Sequence, residues 1–319
     1  MTFAGSPDRV EARLVPDAGF EFDAFRVQGL PRHAGAELLR AAAIDALAPA
    51  ASLRILARRR PDVVLGGGGY VAGPIVVAAA LRRTPAALLE ADAHLGLANR
   101  LAAPLARRVF LSFPIDGRDG AKYRVTGRPI PTRSRATPRE QARERFELPT
   151  QGPALLVFGG SQGARALNEL ALAVFGPAGP AVLHLAGERD YESLRHRVSR
   201  PDYRLVPFTD DFGAALAAAD LALARAGGSV WELAAAGLPA VLVPYPHATA
   251  DHQTKNAGYF ERAGGAVVVP QGELARAPDV VRDLLADEPR LRKMRESMLR
   301  VARPDAAAEI AEELIRLAS

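Results

Sequence analysis

Short apolar runs alternate with alanine-rich helical stretches along most of the chain, and this alternation restricts the fold more than any other feature. The runs fall at Asp62–Leu65, Ala86–Leu89, Arg108–Leu111, Ala154–Phe158, Ala181–Leu185, Leu221–Ala224, Ala240–Val243 and Ala266–Val269. Strands alternating with helices at this spacing predict an α/β fold with parallel, doubly wound sheets. A chain of 319 residues is long enough for two such domains. The stretch Thr132–Thr150 is rich in Arg, Pro and Thr and breaks the rhythm. The expected organisation is therefore a first domain over 1–131, a linker over 132–150, and a second domain over 151–319 with a C-terminal helix. Two Rossmann-like sheet domains would face one another across a cleft.

Composition narrows the function classes. There are no cysteines, so disulfides and thiolate chemistry are excluded, in keeping with a reducing compartment. No run approaches 18 uninterrupted apolar residues, and the start lacks a basic-then-apolar signal pattern. The net charge of +5 is uneven: residues 1–150 carry 23 Lys and Arg against 15 Asp and Glu, and residues 151–319 carry 18 against 21. Basic residues interleaved with aromatics are absent, so nucleic acid is not the expected partner. A basic first half fits one domain facing an anionic surface, or simply solvated arginines. Glu37–Arg60 is a basic amphipathic stretch that suits either an anionic bilayer or packing on a sheet.

Two glycine turns stand at strand ends. Ala154–Phe158 runs into Gly159-Gly160-Ser161-Gln162-Gly163, where bare backbone admits an anion and Ser161 caps the next helix. The plain alternative is a tight turn with an ordinary cap. Asp62–Leu65 runs into Gly66-Gly67-Gly68-Gly69-Tyr70, and consecutive glycines are entropically costly unless something approaches the backbone closely. Glu90-Ala91-Asp92 follows the Ala86–Leu89 strand, so Asp92 is placed either as a proton acceptor or as a helix cap.

The most informative stretch is Arg225–Asn256. A glycine turn opens a helix bearing Glu232, a buried strand follows, and His252, Gln253 and Asn256 come after it. Ligands of open α/β sheets bind where loops leave the carboxyl ends of strands. There Arg225 suits phosphate, Glu232 suits ribose hydroxyls and the amides suit sugar hydroxyls, against a plain reading of surface ion pairs. The implied ligand is a nucleotide-sugar. No Asp-x-Asp occurs and the histidines lack carboxylate partners at ligand spacing, so no metal or cofactor is expected.

Several blocks in order, Ala4–Ala12, Asp62–Pro74, Gly159–Arg165, Phe208–Asp211, Arg225–Pro239 and His252–Asn256, resemble the lipid II-forming N-acetylglucosaminyltransferases of glycosyltransferase family 28. The resemblance implies a GT-B fold and inverting, metal-independent transfer from UDP-N-acetylglucosamine to undecaprenyl-linked muramoyl-pentapeptide. It also implies a peripheral location on the cytoplasmic face of the cell membrane. Carried over, Ser161 and Gln162 meet the diphosphate, Thr209 lies beside the uracil, Glu232 binds ribose, and His252, Gln253 and Asn256 address the sugar. Gly67, Gly68, Gly69 and Tyr70 would face the acceptor diphosphate, with Asp92 as the stand-in base.

Three departures accompany it. The family's opening strand and Gly-Gly-Thr-Gly-Gly-His-type loop have no counterpart here, and its His-Glu-Gln-Asn stands as Leu89-Glu90-Ala91-Asp92. Arg225 to Glu232 is one residue shorter than the family spacing. The expectation from the first departure is a truncated start, an apolar groove beside the first strand and poor turnover. The rival readings are a diacylglycerol or small-aglycone acceptor, or donor binding without turnover.

Overall fold

A computed structural model describes residues 1–27, 36–134, 137–160 and 164–319, the side chains of 36–46 excepted. The chain forms two compact units, one of residues 1–126 with 308–319 and one of residues 127–307. This corrects the expected boundaries. The junction falls at Thr126–Gly127, the stretch taken as a linker belongs to the second unit, and most of the last helix belongs to the first.

The first unit contains β1 (Thr2–Gly5), α1 (Glu11–Asp17), β2 (Glu21–Ala24), α2 (Ala36–Arg59), β3 (Val64–Gly66), α3 (Gly69–Leu81), β4 (Ala86–Glu90), α4 (Leu97–Ala102), β5 (Arg108–Leu111) and β6 (Tyr123–Val125). Its strands form two parallel sheets, β1-β2 and β3-β4-β5-β6. Side chains alternate across a strand, so Leu88, Val109 and Leu111 pack with Ala72, Ile75 and Val76 of α3 on one face. Ala87 and Phe110 meet Ile310, Leu314 and Leu317 on the other. Between β1 and β3 lies the expected apolar groove, about 520 Å³, with Ile55, Leu56, Val71 and Ile75 on the α2–α3 side and Leu314 lining it as well.

The second unit contains α5 (Arg139–Arg145), β7 (Ala154–Phe158), α6 (Arg165–Phe175), β8 (Ala181–Leu185), α7 (Glu188–Leu194), β9 (Tyr203–Val206), α8 (Phe212–Ala218), β10 (Leu221–Ala224), α9 (Val230–Ala235), β11 (Ala240–Leu242), α10 (His252–Arg262), β12 (Ala266–Val268), α11 (Ala277–Ala286) and α12 (Glu288–Val301). Here one continuous parallel sheet runs β12-β11-β10-β7-β8-β9. The strand order reverses direction beside β7, so the carboxyl ends of β7 and β10 form a topological switch point. Helix α13 (Ala306–Ala318) then returns to the first unit. There Glu313, almost fully buried, is paired with Arg108 at 2.6 Å and Arg124 at 3.0 Å.

The supposed linker is a structural strap. Arg139 grips Asp220 with two hydrogen bonds of 2.7 and 2.8 Å, and buried Arg143 donates to Asp220 and to the carbonyls of Pro149, Gly152 and Ala218. Its sequence reads as irregular because its regularity lies in arginine-to-carbonyl bonds, which leave no apolar period.

A buried polar chain fixes α6 against the sheet. The Asn168 amide donates to the Ala186 carbonyl and to Asp190, so its oxygen is the acceptor toward His184 Nε2 at 2.9 Å. His184 Nε2 therefore carries the proton, and Nδ1 accepts from the Tyr203 hydroxyl at 2.8 Å. Burial pulls the His184 pKa down to about 3, so the ring is neutral at ordinary pH.

Candidate functional site

The carboxyl ends of β7, β10 and β11 in the second unit open onto two adjoining chambers that share Arg133, Gly160, Ser229 and Glu232. The smaller, about 160 Å³, is walled by Phe158, Leu185, Pro207, Phe208 and Phe212, with Thr209 at its edge. Phe158 and Phe212 stand edge-to-face with centroids 5.2 Å apart, and Phe208 is left exposed. The larger, about 350 Å³, holds Arg128, Gly159, Arg225, Gly227, Gly228 and Gln253. An apolar aromatic slot, a carboxylate at the junction, then cations and an amide form the order in which a base, a ribose and a diphosphate-sugar would be met.

Glu232 sits in the first turn of α9, half-buried, and its carboxylate accepts the Ser134 hydroxyl. Ser134 thus fixes the rotamer of the carboxylate that borders both chambers. Gln253 accepts the Tyr245 backbone N–H at 2.9 Å through its side-chain oxygen, which leaves its NH2 for the larger chamber. His252 Nδ1 donates to the Thr249 carbonyl at 2.8 Å, so Nε2 is the free acceptor. The turn ahead of it holds Ala250 and Asp251 at φ of 53° and 54°, a left-handed pair that non-glycine residues adopt only under constraint.

Two expected ligand contacts have other duties here. Arg225 is buried and donates to the carbonyls of Val243 and Pro244 at 3.1 and 3.2 Å, with its guanidinium 5.5 Å from the Tyr245 ring centroid. Burial lowers its pKa from the ordinary value. Asn256 is fully buried and donates to the Ala226 carbonyl at 3.3 Å, holding the glycine turn from below. Neither His252 nor Asn256 lines a chamber. Ser161 and Gln162 lie outside the described residues.

Sequence reasoning missed Arg128, Arg133 and Ser134. The signal was the Pro-punctuated Gly127–Pro131 segment, which had been given to the first domain.

In the first unit, Gly67, Gly68, Gly69 and Tyr70 lie at the carboxyl end of β3, and Asp92 lies just beyond neighbouring β4. Gly68 and Gly69 have φ of 91° and 68°, and a side chain at Gly66 would strike Leu88 and Ala72. The turn thus needs glycine for left-handed backbone and for close helix packing. Tyr70 is exposed. Glu90 is buried and accepts from the backbone N–H of Asp92 and Gly96 and from Asn99. Glu90 therefore sets the loop on which half-buried Asp92 stands.

Comparisons with known proteins agree with this architecture. Residues 2–111 match the glycosyltransferase family 28 N-terminal domain and residues 154–311 its C-terminal domain. A Salinibacter ruber protein named UDP-N-acetylglucosamine–N-acetylmuramyl-(pentapeptide) pyrophosphoryl-undecaprenol N-acetylglucosamine transferase is 41% identical across all of this chain and 88% of its own length. A protein of the same name from Acidithiobacillus ferrooxidans is 44% identical across all of this chain and 90% of its own. The crystal structure of Acinetobacter baumannii MurG superposes with a TM-score of 0.77 at 27% identity, covering 99% of this chain and 90% of that one. With two Rossmann-like units, matching models over both and full-length relatives at these identities, the chain belongs to glycosyltransferase family 28 and has the GT-B fold.

Proposed function

We propose that this chain transfers N-acetylglucosamine from UDP-N-acetylglucosamine to lipid-linked N-acetylmuramoyl-pentapeptide, the step that makes lipid II in peptidoglycan synthesis. The observation that carries it is the chambered cleft at the switch point, in a chain 41–44% identical to relatives named for this reaction. Uracil enters the aromatic slot beside Thr209, and Glu232 accepts from the ribose hydroxyls. Arg225 shapes the chamber that takes the diphosphate, and the family resemblance assigns Ser161 and Gln162 to the same group. Gln253 donates to the sugar, and buried Asn256 holds the glycine turn before α9 through the Ala226 carbonyl.

The muramoyl hydroxyl attacks the anomeric carbon with inversion as the C1–O bond to the β-phosphate breaks. The bonding pair leaves on UDP, and the proton passes to a base of the first unit, for which Asp92 is the candidate. Gly67, Gly68, Gly69 and Tyr70 receive the acceptor diphosphate.

The test is transfer of labelled N-acetylglucosamine to a lipid I analogue. Transfer to it, with none to diacylglycerol, supports the reading. Binding of donor without any transfer would favour a donor-binding protein instead.

A lipid-linked acceptor requires work at a membrane surface, and no helix among the described residues is long and apolar enough to cross one. The chain works peripherally, at the cytoplasmic face, where nucleotide-sugar and reduced surroundings meet. On the Glu37–Arg60 stretch, Arg58 and Arg59 are paired with Asp23 and Glu21, so this stretch offers lipid less charge than its sequence suggests. The α3–α4 corner is a better footing. Leu97 and Leu101, four residues apart on α4, are exposed, as are Leu105 just after it and Leu81 at the end of α3, and exposed Arg82, Arg83, Arg100 and Arg107 are near them in sequence. Apolar contact ringed by cations is what anionic headgroups select. Leu97→Gln with Leu101→Gln should lower sedimentation with anionic vesicles several-fold; unchanged sedimentation would remove this footing.

A further inference from the structure

The larger chamber needs a cation for a diphosphate, and the arginine expected to supply it is partly committed elsewhere. Arg225 is buried, gives its Nη1 to two backbone carbonyls and lies over a tyrosine ring. We infer that Arg128 is the side chain that meets the donor diphosphate. This rests on the UDP-sugar reading of the cleft and adds to it a residue for which neither turn motif had accounted.

Three observations converge on Arg128. It is half-buried, it lines the larger chamber and not the aromatic slot, and no hydrogen bond or ion pair joins it to any described residue. A partly desolvated guanidinium without a carboxylate is costly until an anion arrives. Its neighbours hold it in place. Gly127 has φ of 81° and is packed so closely on Arg303 that no side chain fits there, while Pro129 restricts Arg128 itself to extended backbone. Finally, the guanidinium lies across Gly228 so closely that a Cβ at that position would overlap it. The glycine turn before α9 therefore provides the flat bed on which the arginine rests.

The charge balance of the chamber agrees. Among the described residues, Arg128, Arg133 and Arg225 border it against one carboxylate, Glu232, which already accepts from Ser134. When the glycosidic bond breaks, a further negative charge develops on the β-phosphate. A preset guanidinium then stabilises the transition state more than the bound donor.

The experiment is calorimetric titration of the full chain and of Arg128→Gln and Arg128→Lys with uridine, UMP and UDP. The expected result is that Arg128→Gln leaves uridine affinity unchanged and weakens UDP roughly 10- to 100-fold, with Lys in between. UDP affinity equal to the parent's in Arg128→Gln would overturn the assignment alone. An equal loss for uridine and UDP would also overturn it, since Arg128 would then only shape the cleft. A parent chain that binds neither uridine nor UDP would overturn the donor reading together with it.

Discussion

The two units use the same βα alternation, yet one closes its sheet and the other does not. In the second unit six strands form an unbroken parallel ladder, and β7, β8 and β10 are buried along their whole length. In the first, β1-β2 and β3-β4-β5-β6 stand apart with a groove of about 520 Å³ between β1 and β3. Backbone donors and acceptors on those facing edges lack the ladder that satisfies their equivalents in the other unit. A closed ladder can carry a fixed constellation of ligand contacts; a split one is expected to open more readily.

Acid should separate the units most. His184 has a folded pKa of about 3 against an ordinary 6.5, so between those values only the unfolded chain takes the proton. The stability of the second unit is then full above pH 6.5 and is lost as pH falls toward 3, on the order of 1 kcal/mol per pH unit. Trp231, the single tryptophan, is buried in that unit and reports its unfolding by fluorescence. Urea midpoints at pH 7, 5 and 4 should fall steeply, and His184→Gln should flatten the slope. The same slope in parent and variant would refute the role given to the imidazole.

Ligand energetics come next in size. Glu232→Ala should weaken UDP by about 2–4 kcal/mol, since two charge-assisted hydrogen bonds to ribose are lost. Unchanged calorimetric affinity would remove Glu232 from the site.

Amide exchange then compares the ladders directly. Protons of β1 and β3 should exchange roughly 100-fold or more faster than those of β7 and β10. Equal protection would mean that the groove does not weaken the first unit.

The smallest effect concerns Asp23, whose pKa is held below the ordinary 3.8 chiefly by hydrogen bonding from Arg59, with the charge of Arg58 assisting. That contribution is present above pH 3.8 and is lost only as pH drops through the lower folded value. Asp23→Asn should cost the first unit about 1–2 kcal/mol in urea at pH 7, with no change in the Trp231 transition. A shift in that transition would tie the two units together energetically.

Most of the architecture was legible because central parallel strands are apolar on both sides. All eight runs read from the sequence are strands, four with the same ends and four with ends shifted by one or two residues. The strands that were not read, β2, β6 and β9, are each the outer strand of a sheet, and they carry Glu21, Asp23, Arg124 and Arg204. An edge strand needs only one apolar face and tolerates charge on the other, so the run that marks a buried strand is missing. The site divided along similar lines. Glu232, Gln253 and Thr209 border the chambers because strand–turn–helix order fixes them. Arg225 and Asn256 have the expected residue types but are tied to backbone carbonyls, a distinction set by depth, which sequence spacing does not encode. Arg128 was missed because its contribution depends on the fold bringing it across the turn before α9.

The return of the last helix has a consequence for synthesis. The second unit is one uninterrupted stretch, 127–307, whereas the first needs residues 308–319 to cover Ala87 and Phe110 and to give Arg108 and Arg124 their carboxylate. On the ribosome, where chains emerge from the amino end, the unit begun first is thus the one finished last. Until Glu313 arrives, two arginines and an apolar sheet face wait uncovered. A nascent chain of this protein is most vulnerable in the half that was made earliest, and a nick near residue 307 would undo that half while sparing the other.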